Sequence, residues 1–182
     1  MRAHLAAAPI PYTGRELRSH WILDTFGIQG DAIVAFCGPC EVELEAMVDL
    51  ADVAAGQGIR SRLMLHFIAE SFDTDLGKAV LRQRLLVALA RELLLHEADV
   101  RREGDDLYVA ARKLSVSIAT ASPISTLIHL GINIDPEGAP VAAIGLEELG
   151  VDARELAGAL LRAFVQELHG VQQARCKVRP VP

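Results

Sequence analysis

The clearest alternation of apolar and polar positions lies between residues 110 and 135. Leu114, Val116 and Ile118 alternate with Ser115, Ser117 and Ala119, the period-two signature of a strand with one buried and one polar face. Beyond the Ser122-Pro123 turn the chain is apolar nearly throughout to Asp135, which predicts a central strand. Lys113 stands at the entrance to this hairpin, and the other elements are placed around it.

Up to Thr13 the chain reads as irregular or as an edge strand, because Pro9 and Pro11 limit ladder bonds. Residues 15–26 predict a short helix with Leu17, Trp21 and Ile22 inward, ended by Gly27 and Gly30. A strand over 31–36 turns at Gly38-Pro39, and 42–53 is weakly helical and acidic. The glycine-bearing loop Gly56-Gln57-Gly58-Ile59-Arg60-Ser61-Arg62 leads into a strand over 63–68.

Asp73 or Thr74 caps a long helix reaching His96. Its apolar stripe (Leu76, Ala79, Val80, Leu86, Val87, Ala90, Leu93, Leu94) includes one polar residue, Gln83. Leu81, Leu85 and Leu89 form a second side, which predicts cover from more than one sheet face. A hairpin over 100–110 turns at Gly104-Asp105-Asp106. Pro136–Gly138 is a turn and 140–150 an irregular connection. Asp152 and Glu155 begin a last helix, with Leu156, Leu160, Phe164 and Leu168 inward, ending at Gly170. Residues 176–178 return as a short strand. Few helices and consecutive late strands predict an α+β fold with a mostly antiparallel sheet.

The 182 residues read as a single domain, 1–182, large enough for its own core. Aromatics are only 4% of the chain, so aliphatic side chains fill that core. The net charge of -6 argues against a general nucleic-acid surface. The Leu-rich helix is interrupted by Arg91 and Glu92, so no membrane span is expected. The N-terminus lacks an apolar signal core and the chain has three cysteines, which together predict a cytoplasmic protein without a disulfide framework. A free sheet edge is compatible with a homodimer.

The segments Lys113-Leu114-Ser115-Val116-Ser117-Ile118 and Gly131-Ile132-Asn133-Ile134 resemble two adjacent strands of the catalytic domain of biotin protein ligases, lipoate protein ligases and octanoyltransferases, within the class II aminoacyl-tRNA synthetase-like fold. The loop from Gly56 to Arg62 is a weaker echo of the ligases' glycine- and arginine-rich adenylate loop. Residues 15–177, including Arg18-Ser19-His20-Trp21 and Met64-Leu65-His66-Phe67, also resemble a small prokaryotic family known as a domain of unknown function. The resemblance implies a ligase or acyltransferase that binds a small carboxylate, acyl-adenylate or nucleotide, with ATP as a candidate cofactor. It implies a catalytic role for Lys113 and a ligand-binding role for Asn133. Ser115 and Ser117 replace the ligases' glycines, and no cysteine occupies the octanoyltransferase nucleophile's position near Ile144-Gly145-Leu146.

The residues themselves support several of these roles and a set of rivals. An ammonium at a strand start in a closed pocket neutralises developing negative charge, whereas a solvated strand-end lysine does nothing. Arg60 and Arg62, with Gly58, form a candidate cradle for phosphate or carboxylate, or else an ordinary basic turn. Arg18, His20 and His66 are candidate pocket-lining residues; His66 on an apolar strand is otherwise a core histidine. His66 and Glu70 stand about 13 Å apart along a strand, too far for a shared zinc ion. Cys37-Gly38-Pro39-Cys40 carries the tetrapeptide of thioredoxin-like dithiol oxidoreductases and is otherwise a structural turn with two incidental thiols. A binding module that kept the fold and lost the chemistry is the remaining alternative.

Overall fold

The computed structural model describes residues 1–56 and 58–181; Gln57 of the glycine-bearing loop lies outside them. Five strands make the main sheet, in the order β1 (Arg2–Leu5), β2 (Ala32–Val42), β3 (Ile59–Ser71), β8 (Thr126–Asp135), β7 (Ser115–Ala121). β1 runs parallel to β2, and every other neighbour in this sheet is antiparallel. A small second sheet holds β4 (Val100–Glu103), β5 (Asp106–Val109) and β6 (Arg112–Lys113). The α+β class is as the order of elements predicts, and the hairpin of residues 110–135 is formed by β7 and β8.

The two faces of the sheet bury different layers. Ile33, Ala35, Leu65, Phe67, Leu130 and Ile132 face α3 (Leu76–Leu94) and α4 (Ala153–Cys176), where Leu86, Val87, Leu160 and Phe164 complete an aliphatic core. Val34, Phe36, Met64 and Ile68 face the opposite side, under Trp21 and Ile22 of α1 (Trp21–Phe26) and under Tyr12. β3 and β8 lie at the centre, so residues from both faces are buried along nearly their whole length. This explains why periodicity alone did not separate the faces.

Several boundaries differ from the pattern-based expectation. β2 does not turn at Gly38-Pro39 but continues through it to Val42, with a register shift between Gly38 and Cys40. A bulge admits the proline without ending the strand. Positive φ at His20 and at Gly27 confines α1 to six residues. α2 (Leu50–Ala55) begins only at its Asp49 cap, whose carboxylate accepts from the Ala51 and Asp52 N–H groups. The long helix is capped by Asp75, not by Asp73 or Thr74. Leu81 is 72% exposed, so the second side of α3 is covered only at Leu85 and Leu89. α4 runs through Gly170 to Cys176, and no strand forms over 176–178. One glycine costs a helix only about 1 kcal/mol, too little to end it without a breaker beyond.

Gln83, the polar member of the α3 stripe, is buried because its amide donates to Asp105 and to the Ser117 hydroxyl, each at 2.8 Å. Among the described residues no helix is long and apolar enough to cross a membrane.

Candidate functional site

A cleft of two lobes opens on the sheet face away from α3 and α4, and Lys113 borders both. The inner lobe, about 150 Å³, lies among Tyr12, Asp49, Asp52, Lys113, Val116 and His129. The outer lobe, about 80 Å³, lies among Gly58, Arg60, Met64, Lys113, Asn133 and Val141. Asp52, Ile59 and Val116 also border both.

The backbone around Lys113 is fixed on two sides. Lys113 pairs with Tyr108 of β5, its N–H donates to Ala142 O at 2.9 Å, and its carbonyl accepts from Ile144 N–H at 3.1 Å. The Asn133 side-chain amide donates to the same carbonyl at 3.3 Å. The ammonium, with its side chain 29% exposed, pairs with Asp106 at 2.9 Å. Burial opposes its charge, but the hydrogen bond and charge of Asp106, helped by Tyr108 and Asp52, outweigh this and hold the ammonium above its ordinary value. For Asp106 burial prevails and pushes its carboxyl up, despite the Lys113 hydrogen bond.

The two lobes differ in sign. Lys113 and Arg60 border the outer lobe with the neutral Asn133, and the acids on Arg60 (Glu41 at 3.3 Å, Glu43 at 3.0 Å) are exposed. The inner lobe adds Asp49, Asp105 and Asp106 to Asp52. An anionic group is therefore favoured outside and disfavoured inside.

The floor of the inner lobe is aromatic. The Tyr12 ring stacks on His129 with centroids 3.9 Å apart and planes 7° from parallel. Gly38 makes this possible: the Ile10 carbonyl occupies the space a Cβ would need, so the strap around Ile10 and Tyr12 lies directly on β2. Ile10 N–H donates to Cys37 O, Tyr12 N–H to Pro39 O, and Glu41 N–H to Tyr12 O, each at 2.9 Å. Behind the stack, His66 Nδ1 and His129 Nε2 are 3.1 Å apart, and His66 Nε2 is 3.2 Å from Gly38 O. Burial lowers both imidazoles, His66 to about 4 and His129 well below its ordinary value, so both are neutral near pH 7.

The sequence-derived candidates divide into three groups. Lys113, Gly58, Arg60 and Asn133 border the cleft. His66 sits one ring behind it, at full burial, touching the cleft through His129. Arg62, Arg18 and His20 do not line it. The Arg62 guanidinium is held by Asp135 and Glu137. Arg18 pairs with Asp24 at 2.9 Å on the surface. His20 caps α1, its N–H donating to the buried Glu70 carboxylate at 3.0 Å, while Ser125 donates to the same oxygen at 2.8 Å. Tyr12, Asp106 and His129 join the site without having been singled out. Asp52, whose acidity suggested a cation or a pairing with Arg60 or Arg62, borders both lobes while those arginines pair with other acids. The one available signal was His129, a lone imidazole within the apolar run of β8.

The dithiol reading does not survive the geometry. Cys37 and Cys40 are three residues apart on one strand, about 10 Å by strand rise and beyond disulfide reach. Cys37 packs against the helical side and Cys40 against the other. Neither thiol is activated: burial pushes Cys37 up, outweighing the nearby Arg154 charge, and burial with the Glu16 charge pushes Cys40 to about 12. Among the described residues no cluster of His, Cys, Asp or Glu fits a metal ion.

Residues 1–179 match the family described as Domain of unknown function (DUF366). An uncharacterised protein of Methanocaldococcus jannaschii is 38% identical over 180 residues, covering 94% of this chain and 81% of that protein. A solved protein of unknown function from Pyrococcus horikoshi is 42% identical, covers 100% of this chain and 99% of its own, and superposes with a TM-score of 0.95. A putative lipoate protein ligase of Thermoplasma acidophilum with bound lipoic acid is 15% identical, with coverage of 93% and 86% and a TM-score of 0.60. The biotin protein ligase of Aquifex aeolicus in complex with biotin and ATP is 18% identical, with coverage of 91% and 70% and a TM-score of 0.57. These last two likenesses establish a shared fold, as the β7–β8 motifs imply.

Proposed function

The chain belongs to the DUF366 family, and we propose that its cleft binds a small carboxylate and activates it with ATP as an acyl-adenylate, in the manner of a ligase or acyltransferase. The observation that carries this reading is the placement of Lys113, whose half-buried ammonium borders both lobes beside Asn133 and Arg60. The ligand's carboxylate lies in the outer lobe, the more positive of the two. In the chemical step a carboxylate oxygen bonds to the α-phosphorus of ATP, the Pα–O–Pβ bond breaks, and pyrophosphate leaves with the electron pair. Lys113 neutralises the negative charge that develops there, and the Gly58 backbone approaches without a side chain. The solved ligases of this fold that hold biotin, lipoic acid or ATP support the choice of ligand class. The test is pyrophosphate exchange into ATP across biotin, lipoate, octanoate and the amino acids. Exchange with any of them supports the reading; no exchange and no thermal shift with any overturns it.

A second reading, a binding module of the same fold without catalysis, has one observation in its favour: Asp106 already neutralises Lys113. It predicts a thermal shift with a carboxylate, no exchange, and near-wild-type affinity in Lys113→Ala.

A further inference from the structure

The direction of the hydrogen bonds behind the inner lobe follows from one carbonyl. Gly38 O only accepts, so the His66 Nε2 facing it at 3.2 Å carries the proton. In a neutral imidazole this leaves His66 Nδ1 bare, an acceptor. His129 Nε2, 3.1 Å away, must then be the donor. The remaining nitrogen, His129 Nδ1, is consequently unprotonated. It has no hydrogen-bond partner among the described residues and is not among the atoms they seal off, although His129 as a whole is 97% buried, at 3% exposure. The ring borders the inner lobe, clamped by Tyr12.

We propose that His129 Nδ1 is a fixed hydrogen-bond acceptor for the far end of the ligand, so that the ligand class is a carboxylic acid carrying an O–H or N–H donor remote from its carboxylate rather than a plain hydrocarbon acid. The inference rests on the carboxylate reading given above for the outer lobe. His129 and Asn133 lie on the same face of β8, four residues and about 13 Å apart, a span that an extended chain of several carbons covers. A hydrocarbon end placed against His129 would strip the acceptor of water and give it nothing in return. Asp49, Asp52 and Asp105 add further acceptors to the inner lobe and no cation beyond Lys113. The shape of the chemistry is therefore bipolar: an anion outside, a donor inside. Tyr12, 4% exposed and stacked on the ring, holds the imidazole in one orientation and fixes the direction in which the acceptor points.

Calorimetry on the full chain with matched acids tests this: octanoate against 8-hydroxyoctanoate, and hexanoate against 6-hydroxyhexanoate. The hydroxy acid of at least one pair is expected to bind on the order of tenfold more tightly, the equivalent of one hydrogen bond. Equal or weaker binding of both hydroxy acids overturns the inference, as does binding by none of the four; the carboxylate reading itself stands or falls separately, on the exchange assay given above. His129→Gln retains an acceptor and should keep part of the preference, whereas His129→Leu should abolish it. Nitrogen NMR on the unsubstituted protein does not depend on either variant folding. An unprotonated His129 Nδ1 near pH 7 is expected, and a protonated one overturns the proposal.

Discussion

The Ile10 carbonyl stands where a side chain on Gly38 would have to be. That single contact seats Tyr12 on His129 and leaves the Gly38 carbonyl free to orient His66. Gly38→Ala should therefore cost on the order of 3 kcal/mol in chemical denaturation, because backbone rather than a flexible side chain must move. The same substitution at Gly170, within α4, where an added Cβ meets nothing within 4 Å, should instead stabilise by about 0.5–1 kcal/mol.

Stability should fall with acid through the His66–His129 pair. Each imidazole titrates lower in the folded chain than in the unfolded one, so the unfolded state binds more protons between the two values. The folded chain then loses stability as pH drops from about 6.5, the ordinary value, toward the His66 value of about 4. For His66 the loss across this window is on the order of 3 kcal/mol. Urea titrations at pH 7 and pH 4.5 on the wild type and on His66→Gln isolate it: the pH dependence should shrink in the variant. An unchanged difference would sink the assignment.

The two arginines of the Arg60-Ser61-Arg62 segment should behave differently. Arg62 is turned to Asp135 and Glu137 and stands 62% exposed. Arg62→Ala should cost at most about 1 kcal/mol, in keeping with an exposed ion pair, and leave carboxylate binding unchanged. Arg60→Ala should weaken carboxylate binding several-fold, and Lys113→Met more than either, as read by calorimetry with the acid that binds the wild type.

Thiol chemistry should find one ready cysteine. Cys176 is exposed, while Cys40 is buried with its thiol pushed up to about 12. Titration with an aromatic disulfide reagent under native conditions should consume Cys176 promptly and Cys40 only on unfolding. Oxidation should produce no Cys37–Cys40 bridge detectable by mass spectrometry; finding one would overturn the strand geometry described for this segment.

What the sequence determined by itself were the features governed by local rules. Alternation in 114–119 and the apolar run after Ser122-Pro123 produced β7 and β8, since a period of two has one structural solution when one face is buried. Asp152 capped α4, and the Lys113 and Gly131–Ile134 motifs pointed to the ligase-like fold. Tertiary structure decided the rest. Cys37–Cys40 reads as a turn because glycine and proline favour one, yet pairing with β3 and the strap over Gly38 hold it in a strand. His129 was visible only as a lone imidazole in the apolar run of β8, and in a strand buried on both faces nothing local says what it meets. Its chemistry arises only from what β3, β2 and the Tyr12 strap bring against it. Lys113 began as a lysine at a hairpin's entrance. Its significance comes from its surroundings: the β5–β6 pairing puts Asp106 against its charge, and long-range packing puts a lobe of the cleft on either side.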